Sequence, residues 1–327
     1  EACDWGSNES YVDYEKIYKS RFVLLRKAFE KSNCEADVEY KKFVKENAAW
    51  LEDYSLYMAI KDSLSGISWI EWPAELKNRD QAALDEAGKK LSREVAFYRF
   101  QQFWFFKQWT ELKAYANDKG VEVIGDVPIY VAFDSADAWA QPELFQFNEE
   151  NLPVGVAGCP PDAFSATGQL WGNPLYDWDY HKKTGYAWWT LRMANCMKLY
   201  DVVRIDHFRG FDSYYAIPYG ESTARNGVWK QGPGMKLFNR VEETIGRQHI
   251  IAEDLGYLTK SVREMLKDSG FPGMKVLEFA FNSNAVGENE YLPHNFTENC
   301  VAYAGTHDNN TIEGWFEEIS EDDAEYA

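Results

Sequence analysis

Three acidic residues stand at or just beyond the ends of short apolar runs. Val202-Val203-Arg204-Ile205-Asp206 leads into His207-Phe208-Arg209-Gly210, and Ile250-Ile251-Ala252-Glu253 leads into Asp254-Leu255-Gly256. Val301-Ala302-Tyr303-Ala304-Gly305-Thr306-His307-Asp308 leads into Asn309-Asn310-Thr311. A pair of carboxylates in unlike surroundings is what retaining cleavage of a glycosidic bond requires. One attacks the anomeric carbon; the other protonates the leaving oxygen and later takes a proton from the acceptor. Arg204 lies two residues before Asp206, so in a strand both side chains share a face. A fixed guanidinium there holds Asp206 ionised, as a nucleophile needs. Glu253, between Ile251 and Leu255, has apolar neighbours that raise its pKa toward that of a proton donor. Asp308 would stabilise positive charge developing on a sugar ring.

Each acid taken singly also has an ordinary structural account. Asp308 precedes Thr311-Ile312-Glu313-Gly314 and could N-cap that helix. Asp206 could do no more than pair with Arg204, and Asp254 is a better helix cap than Glu253. The argument for chemistry is the recurrence of one context, because the loops that follow barrel strands build the active face.

The elements that must position these acids are legible in the spacing. Tyr14–Lys31, Asp37–Lys61, Asp80–Leu91 and Arg93–Lys119 carry apolar residues three and four apart, which predicts helices. Short apolar runs follow at Val121–Val131, Val202–Ile205, His249–Ala252, Met274–Phe281 and Cys300–Ala304, separated by longer stretches with helical patterning. Strands alternating with helices predict an α/β fold with a parallel sheet, covered on both faces as in a barrel. Residues 1–96 read as a helical subdomain and 97–327 as the (β/α) core. The segment 134–178, rich in Gly, Pro and aromatics, reads as a long functional loop.

Composition bounds the ligand. A net charge of −19 argues against nucleic acid, whose phosphates are met by clustered Lys and Arg, and against anionic membrane surfaces. No apolar run reaches membrane-spanning length. The five cysteines, Cys3, Cys34, Cys159, Cys196 and Cys300, are scattered without metal-ligand spacing, which reads as reduced thiols in the cytoplasm. No nucleotide-binding glycine loop or metal constellation is present, so no cofactor is expected. Aromatic residues make up 16% of the chain, 13 of them Trp; composition favours core packing, with stacking on sugar rings as the sharper reading. The first residue is not Met and the chain stops inside an acidic, helical-looking stretch, so both ends read as cut.

The motifs Arg204-Ile205-Asp206-His207-Phe208-Arg209-Gly210, Ala252-Glu253-Asp254-Leu255-Gly256 and Gly305-Thr306-His307-Asp308-Asn309 resemble those of glycoside hydrolase family 77, the amylomaltase-type 4-α-glucanotransferases. Gly125-Asp126-Val127-Pro128-Ile129-Tyr130 looks like that family's third barrel strand. Gly158-Cys159-Pro160-Pro161-Asp162-Ala163-Phe164-Ser165 and Gly168-Gln169-Leu170-Trp171-Gly172-Asn173-Pro174 look like its active-site loop. Phe271-Pro272-Gly273-Met274-Lys275-Val276-Leu277-Glu278-Phe279 and Leu292-Pro293-His294-Asn295 complete the set.

The resemblance implies a TIM (β/α)8-type barrel of which this chain holds strands three to seven, with a helical insertion on its N-terminal side. It implies transfer of α-1,4-glucan segments between maltooligosaccharides, with Asp206 as nucleophile, Glu253 as acid/base and Asp308 as transition-state stabiliser. It further assigns substrate contacts to Arg204, His207, His307, Asp126, Asp162, Phe164, Gln169, Trp171, Phe279 and His294. Ala163 stands where many members carry Tyr. An α-amylase-like hydrolase and a non-catalytic glucan-binding fragment are the competing readings.

Overall fold

The computed structural model describes residues 3–162, 165–256, 258–281 and 289–327. The chain divides into two compact units, the first running to Tyr115 and taking in Phe133–Pro142, the second comprising Ala116–Ala132 and Glu143–Ala327.

The first unit is helical: α1 (Tyr14–Lys31), α2 (Val38–Glu46), α3 (Ala48–Ser63), α4 (Ala74–Lys77), α5 (Gln81–Lys90), α6 (Ser92–Asp118, which runs on into the second unit) and α7 (Ala136–Ala140). Aspartates start three of these helices. Asp13, Asp37 and Asp80 each accept a hydrogen bond from an amide of the first turn, meeting donors that the helix itself leaves unpaired. The single helix expected over Asp37–Lys61 is instead broken at Asn47. Its side chain folds back, donating to the Phe43 carbonyl at 2.9 Å and accepting from the Trp50 indole at 3.2 Å, the local competition with helical bonds that Asn is prone to. Phe29, Cys34, Tyr40, Phe97, Phe100 and Phe103 form one core cluster of this unit. The short segment around α7 is held here by Asp134, which accepts from the Tyr57 hydroxyl at 2.6 Å and pairs with Lys61, and by the Trp139 indole, which donates to the Leu76 carbonyl.

The second unit has two kinds of sheet. Strands β1 (Ile124–Val127), β4 (Val202–Ile205) and β7 (Ile250–Ala252) form a parallel sheet, and β8 (Gly273–Val276) pairs in parallel with β9 (Cys300–Tyr303). The Ala252 amide donates to the Pro272 carbonyl at 2.9 Å, joining the end of β7 to the start of β8. Asp126, Arg204 and Ile251 lie side by side across the first ladder. Helices α8 (Trp178–Lys183), α9 (Ala187–Leu199), α10 (Met235–Ile245) and α11 (Lys260–Ser269) alternate with these strands, and α12 (Ile312–Glu318) and α13 (Glu321–Tyr326) follow β9. The parallel strands of an α/β fold are therefore present, as expected. β4 coincides with its apolar run, whereas β1 and β8 are shorter than theirs. Pro128 ends β1, and the carbonyls of Pro128 and Ile129 turn to the Arg192 guanidinium at 2.6 and 3.0 Å. After Val276 the chain tightens into a 3₁₀ turn, Leu277–Ala280.

A four-stranded antiparallel sheet was not expected. Strands β2 (Gly155–Cys159) and β3 (Gln169–Pro174) pair with each other, and β2 also pairs with β5 (Ser213–Pro218), which pairs with β6 (Val228–Gln231). The segment 134–178 thus holds a helix and two strands, and the stretch after Asp206, whose patterning suggests helix, holds two strands before α10.

Gly125 sets how β1 packs. A methyl group there would lie 2.1 Å from the Tyr200 ring, so only a bare backbone admits that ring. Because strand side chains alternate, Asp126 then projects from the opposite face. Gly125→Ala should cost about 1–3 kcal/mol by overpacking. Combining it with Tyr200→Ala should recover part of that loss, since residues in contact are not additive. Denaturant unfolding of the full-length protein checks this, and strictly additive penalties would refute the contact.

Candidate active site

The parallel ladders deliver the acids to one level. The Asp206 amide donates to the Val127 carbonyl at 3.0 Å, and the Glu253 amide to the Ile205 carbonyl at 3.0 Å. Each acid therefore sits where the preceding parallel strand ends, and the turn after β9 carries His307 and Asp308.

Arg204 binds this group together. Its buried guanidinium places Nη1 at 2.6 Å from Asp126 Oδ1 and 3.1 Å from Asp206 Oδ1, while Nε donates to Met274 Sδ at 3.3 Å. The expected pairing with Asp206 is present, but its effect on ionisation is outweighed. Burial pushes the Asp206 carboxyl above its ordinary range, Arg204 pulls it back, and the charges of Asp126 and Asp308 push it up again.

Glu253 is in a different environment. Burial pushes its carboxyl up to about 7, and the neighbouring Asp206 charge adds to that rise. The amides of Leu255 and His207, donating to its two oxygens at 2.9 and 2.8 Å, oppose the rise without cancelling it. Two carboxylates whose pKa values are separated by their surroundings are suited to acid and base roles.

Neither capping alternative holds. The side chain that caps α12 is Thr311, which accepts from the Gly314 amide, so Asp308 is free of that duty and largely exposed. Asp254 does not cap α11, a role taken by Thr259. It is buried and accepts from the Met274 amide at 2.6 Å.

The histidines flank the acids. His207 has left-handed backbone (φ 50°), and its amide is the one that donates to Glu253 Oε2. Burial, followed by the charge of Arg209, lowers its pKa to about 3, leaving a neutral imidazole. His307 Nε2 lies 3.4 Å from Asp308 Oδ2 and 3.7 Å from Asp126 Oδ2. A cavity of about 330 Å³ is lined by Asp126, Arg204, Met274, Tyr303 and His307 among others.

Of the remaining expected residues, Trp171 is brought in by β3. Its ring meets His207 edge-on at 4.8 Å, and its indole donates to Gln169 Oε1 at 2.9 Å. Asp162 lies on the turn between β2 and β3 and accepts from the Ser165 amide at 2.8 Å. Phe164 and Ala163 lie outside the described residues. Phe279 packs edge-on against Tyr291 at 5.5 Å, and His294 is exposed on the turn Pro293–Asn295. Neither joins the hydrogen-bonded group around Arg204.

Sequence reasoning passed over Met274 and Glu278. Glu278 is a buried acid just beyond β8, and its Oε1 has no hydrogen-bond partner. The rule that found the other acids would have found it, had the apolar run been ended at Val276. No signal marks Met274, because a thioether at a strand position reads simply as core. Among the described residues no group of three His, Cys, Asp or Glu is arranged to hold a metal ion, and no helix is long and apolar enough to cross a membrane.

Comparison with known proteins finds relatives along nearly the whole chain. The chain is 50% identical to a 4-alpha-glucanotransferase from Clostridium butyricum over 97% of its own length and 65% of that protein's. It is 46% identical to one from Thermus thermophilus over 96% of its length and 63% of the relative's. An amylomaltase from Streptococcus agalactiae, solved with acarbose, superposes with a TM-score of 0.94 at 42% identity, covering 99% of this chain and 66% of that one. The chain thus spans about two thirds of the length of the curated relatives it matches. The sequence profile of glycoside hydrolase family 77, described as 4-alpha-glucanotransferase, matches residues 2–327, and the chain belongs to that family.

Proposed function

We propose that the protein carrying this chain transfers α-1,4-glucan segments between maltooligosaccharides by a retaining double displacement. The observation that carries this reading is the split between two neighbouring carboxylates: Asp206 rests on the Arg204 guanidinium, and Glu253 is half-buried, held by two backbone amides, with its carboxyl raised to about 7. Asp206 attacks the anomeric carbon and holds the glycosyl group, while Glu253 gives its proton to the departing sugar. Glu253 then takes a proton from the 4-hydroxyl of the acceptor, which displaces Asp206. Asp308, exposed beside His307, stabilises charge on the ring. Arg204, His207, His307 and Asp126 contact the donor sugar, and Asp162, Phe164, Gln169, Trp171, Phe279 and His294 the remainder of the chain. The neutral His207 imidazole suits a hydrogen bond to a sugar hydroxyl. The acarbose bound by the Streptococcus agalactiae relative supports an α-glucan ligand.

The five parallel strands are the third to seventh of a (β/α)8 barrel. The sheet containing β2 and β3 covers the bound chain and favours sugar over water as the acceptor. The helical unit that runs to Tyr115 is the insertion, and the unit that holds the parallel strands is the barrel core. All five cysteines are free thiols, which suits a reducing cytoplasm.

Incubation of the full-length protein with maltotriose should give longer oligomers together with glucose. New reducing ends without longer products would make the enzyme a hydrolase. Asp206→Ala should reduce transfer by roughly 10⁴-fold or more, the scale on which a covalent enzyme depends on its nucleophile. Activity must rise with pH as Asp206 loses its proton, starting above the ordinary carboxylate range. It must fall as Glu253 loses its own near pH 7, because the first half-reaction needs Glu253 protonated. A profile of kcat/KM against pH tests this. An alkaline limb that survives Glu253→Gln at full amplitude would remove Glu253 from the mechanism.

A further inference from the structure

We propose that Met274 is a positioning residue for both acids: its thioether fixes the guanidinium on which Asp206 rests, and its amide fixes Asp254, the neighbour of Glu253. The inference rests on the reaction proposed above and adds a residue to it.

Arg204 is buried, and its Nη1 is shared between Asp126 and Asp206. Held at one nitrogen only, a guanidinium can pivot between two carboxylates on different strands. The contact from Nε to Met274 Sδ at 3.3 Å supplies a second point of attachment on a third strand, β8. A thioether is a weak acceptor, but a buried donor with no acceptor at all is costly. An unbranched side chain also adapts to a gap that a branched one would not fill. Met274 lines the cavity shared with Asp126, Arg204 and His307, so its side chain belongs to the site as well as to the core.

The same residue reaches the other acid through its backbone. Asp254 Oδ1 accepts from the Met274 amide at 2.6 Å, which fixes the chain immediately after Glu253. That approach depends on residue 273 having no side chain: a methyl group on Gly273 would lie 2.7 Å from both Asp254 oxygens. One residue of β8 therefore touches the support of each acid, one through sulfur and one through N–H.

The test compares Met274→Leu, which keeps the volume and removes the acceptor, with Met274→Gln, which returns an acceptor at similar reach. Both are made in the full-length protein and assayed for maltotriose disproportionation. Loss of the acceptor should lower kcat about tenfold with KM nearly unchanged, the pattern of a misplaced catalytic group rather than lost binding. Met274→Gln should recover most of that loss. Wild-type kcat in Met274→Leu would overturn the proposal, as would equal losses in both variants or a change confined to KM. Asp206→Ala is assayed in parallel. If it is inactive while Met274→Leu is unaffected, only the positioning role falls; if it is active, the proposed reaction falls first.

Discussion

Arg204 brings a positive charge onto a buried strand, and the site around it is arranged to make that charge tolerable. Taking a guanidinium out of water is expensive unless its donors are met. Here they are met from three strands: by Asp126 on β1, by Asp206 at the end of β4, and by Met274 on β8. The parallel register does the rest, since Asp126 and Arg204 are lateral partners in the ladder and Asp206 lies two residues on, on the same face. Removing either partner carboxylate would leave a buried charge short of a counter-ion, so the grouping is held by its own electrostatics as much as by packing.

The second acid feels the same desolvation with less to offset it. Glu253 is met by two backbone amides and only by the charge of Arg204, not by a direct contact like that of Asp206. Its carboxyl rises to about 7. The two acids feel each other's charge, and ionising one raises the cost of ionising the other. The proton is therefore retained on the member with less compensation.

The part of the fold that was legible in the sequence is the part written in local periodicity. Helices such as α1 showed their three- and four-residue spacing. The strands carrying Asp206 and Glu253 showed as apolar runs ending in an acid. The antiparallel sheet of β2, β3, β5 and β6 was not legible, because its order joins Gly155–Cys159 to Ser213–Pro218 across more than one intervening element, and no spacing within either segment announces the partner. The break at Asn47 turns on one side chain preferring its neighbours' backbone. In the site, Arg204 and the two acids followed from residue type and position. Met274 did not, since its contribution lies in which buried donor its sulfur happens to face, and Glu278 was obscured by an apolar run that continues past the strand it ends.

The left-handed backbone of His207 has an implication for how this site can vary. The residue's amide donates to a Glu253 oxygen while its own backbone is left-handed, so the position is constrained twice, once by its ring beside Trp171 and once by its main chain. Asn and Gly enter this region of backbone space readily, whereas β-branched residues are strained there. Variation at 207 would thus reach Glu253 through the main chain even where the lost imidazole did not matter. The range of substitutions open to drift is accordingly narrower than the contacts of the ring alone would set.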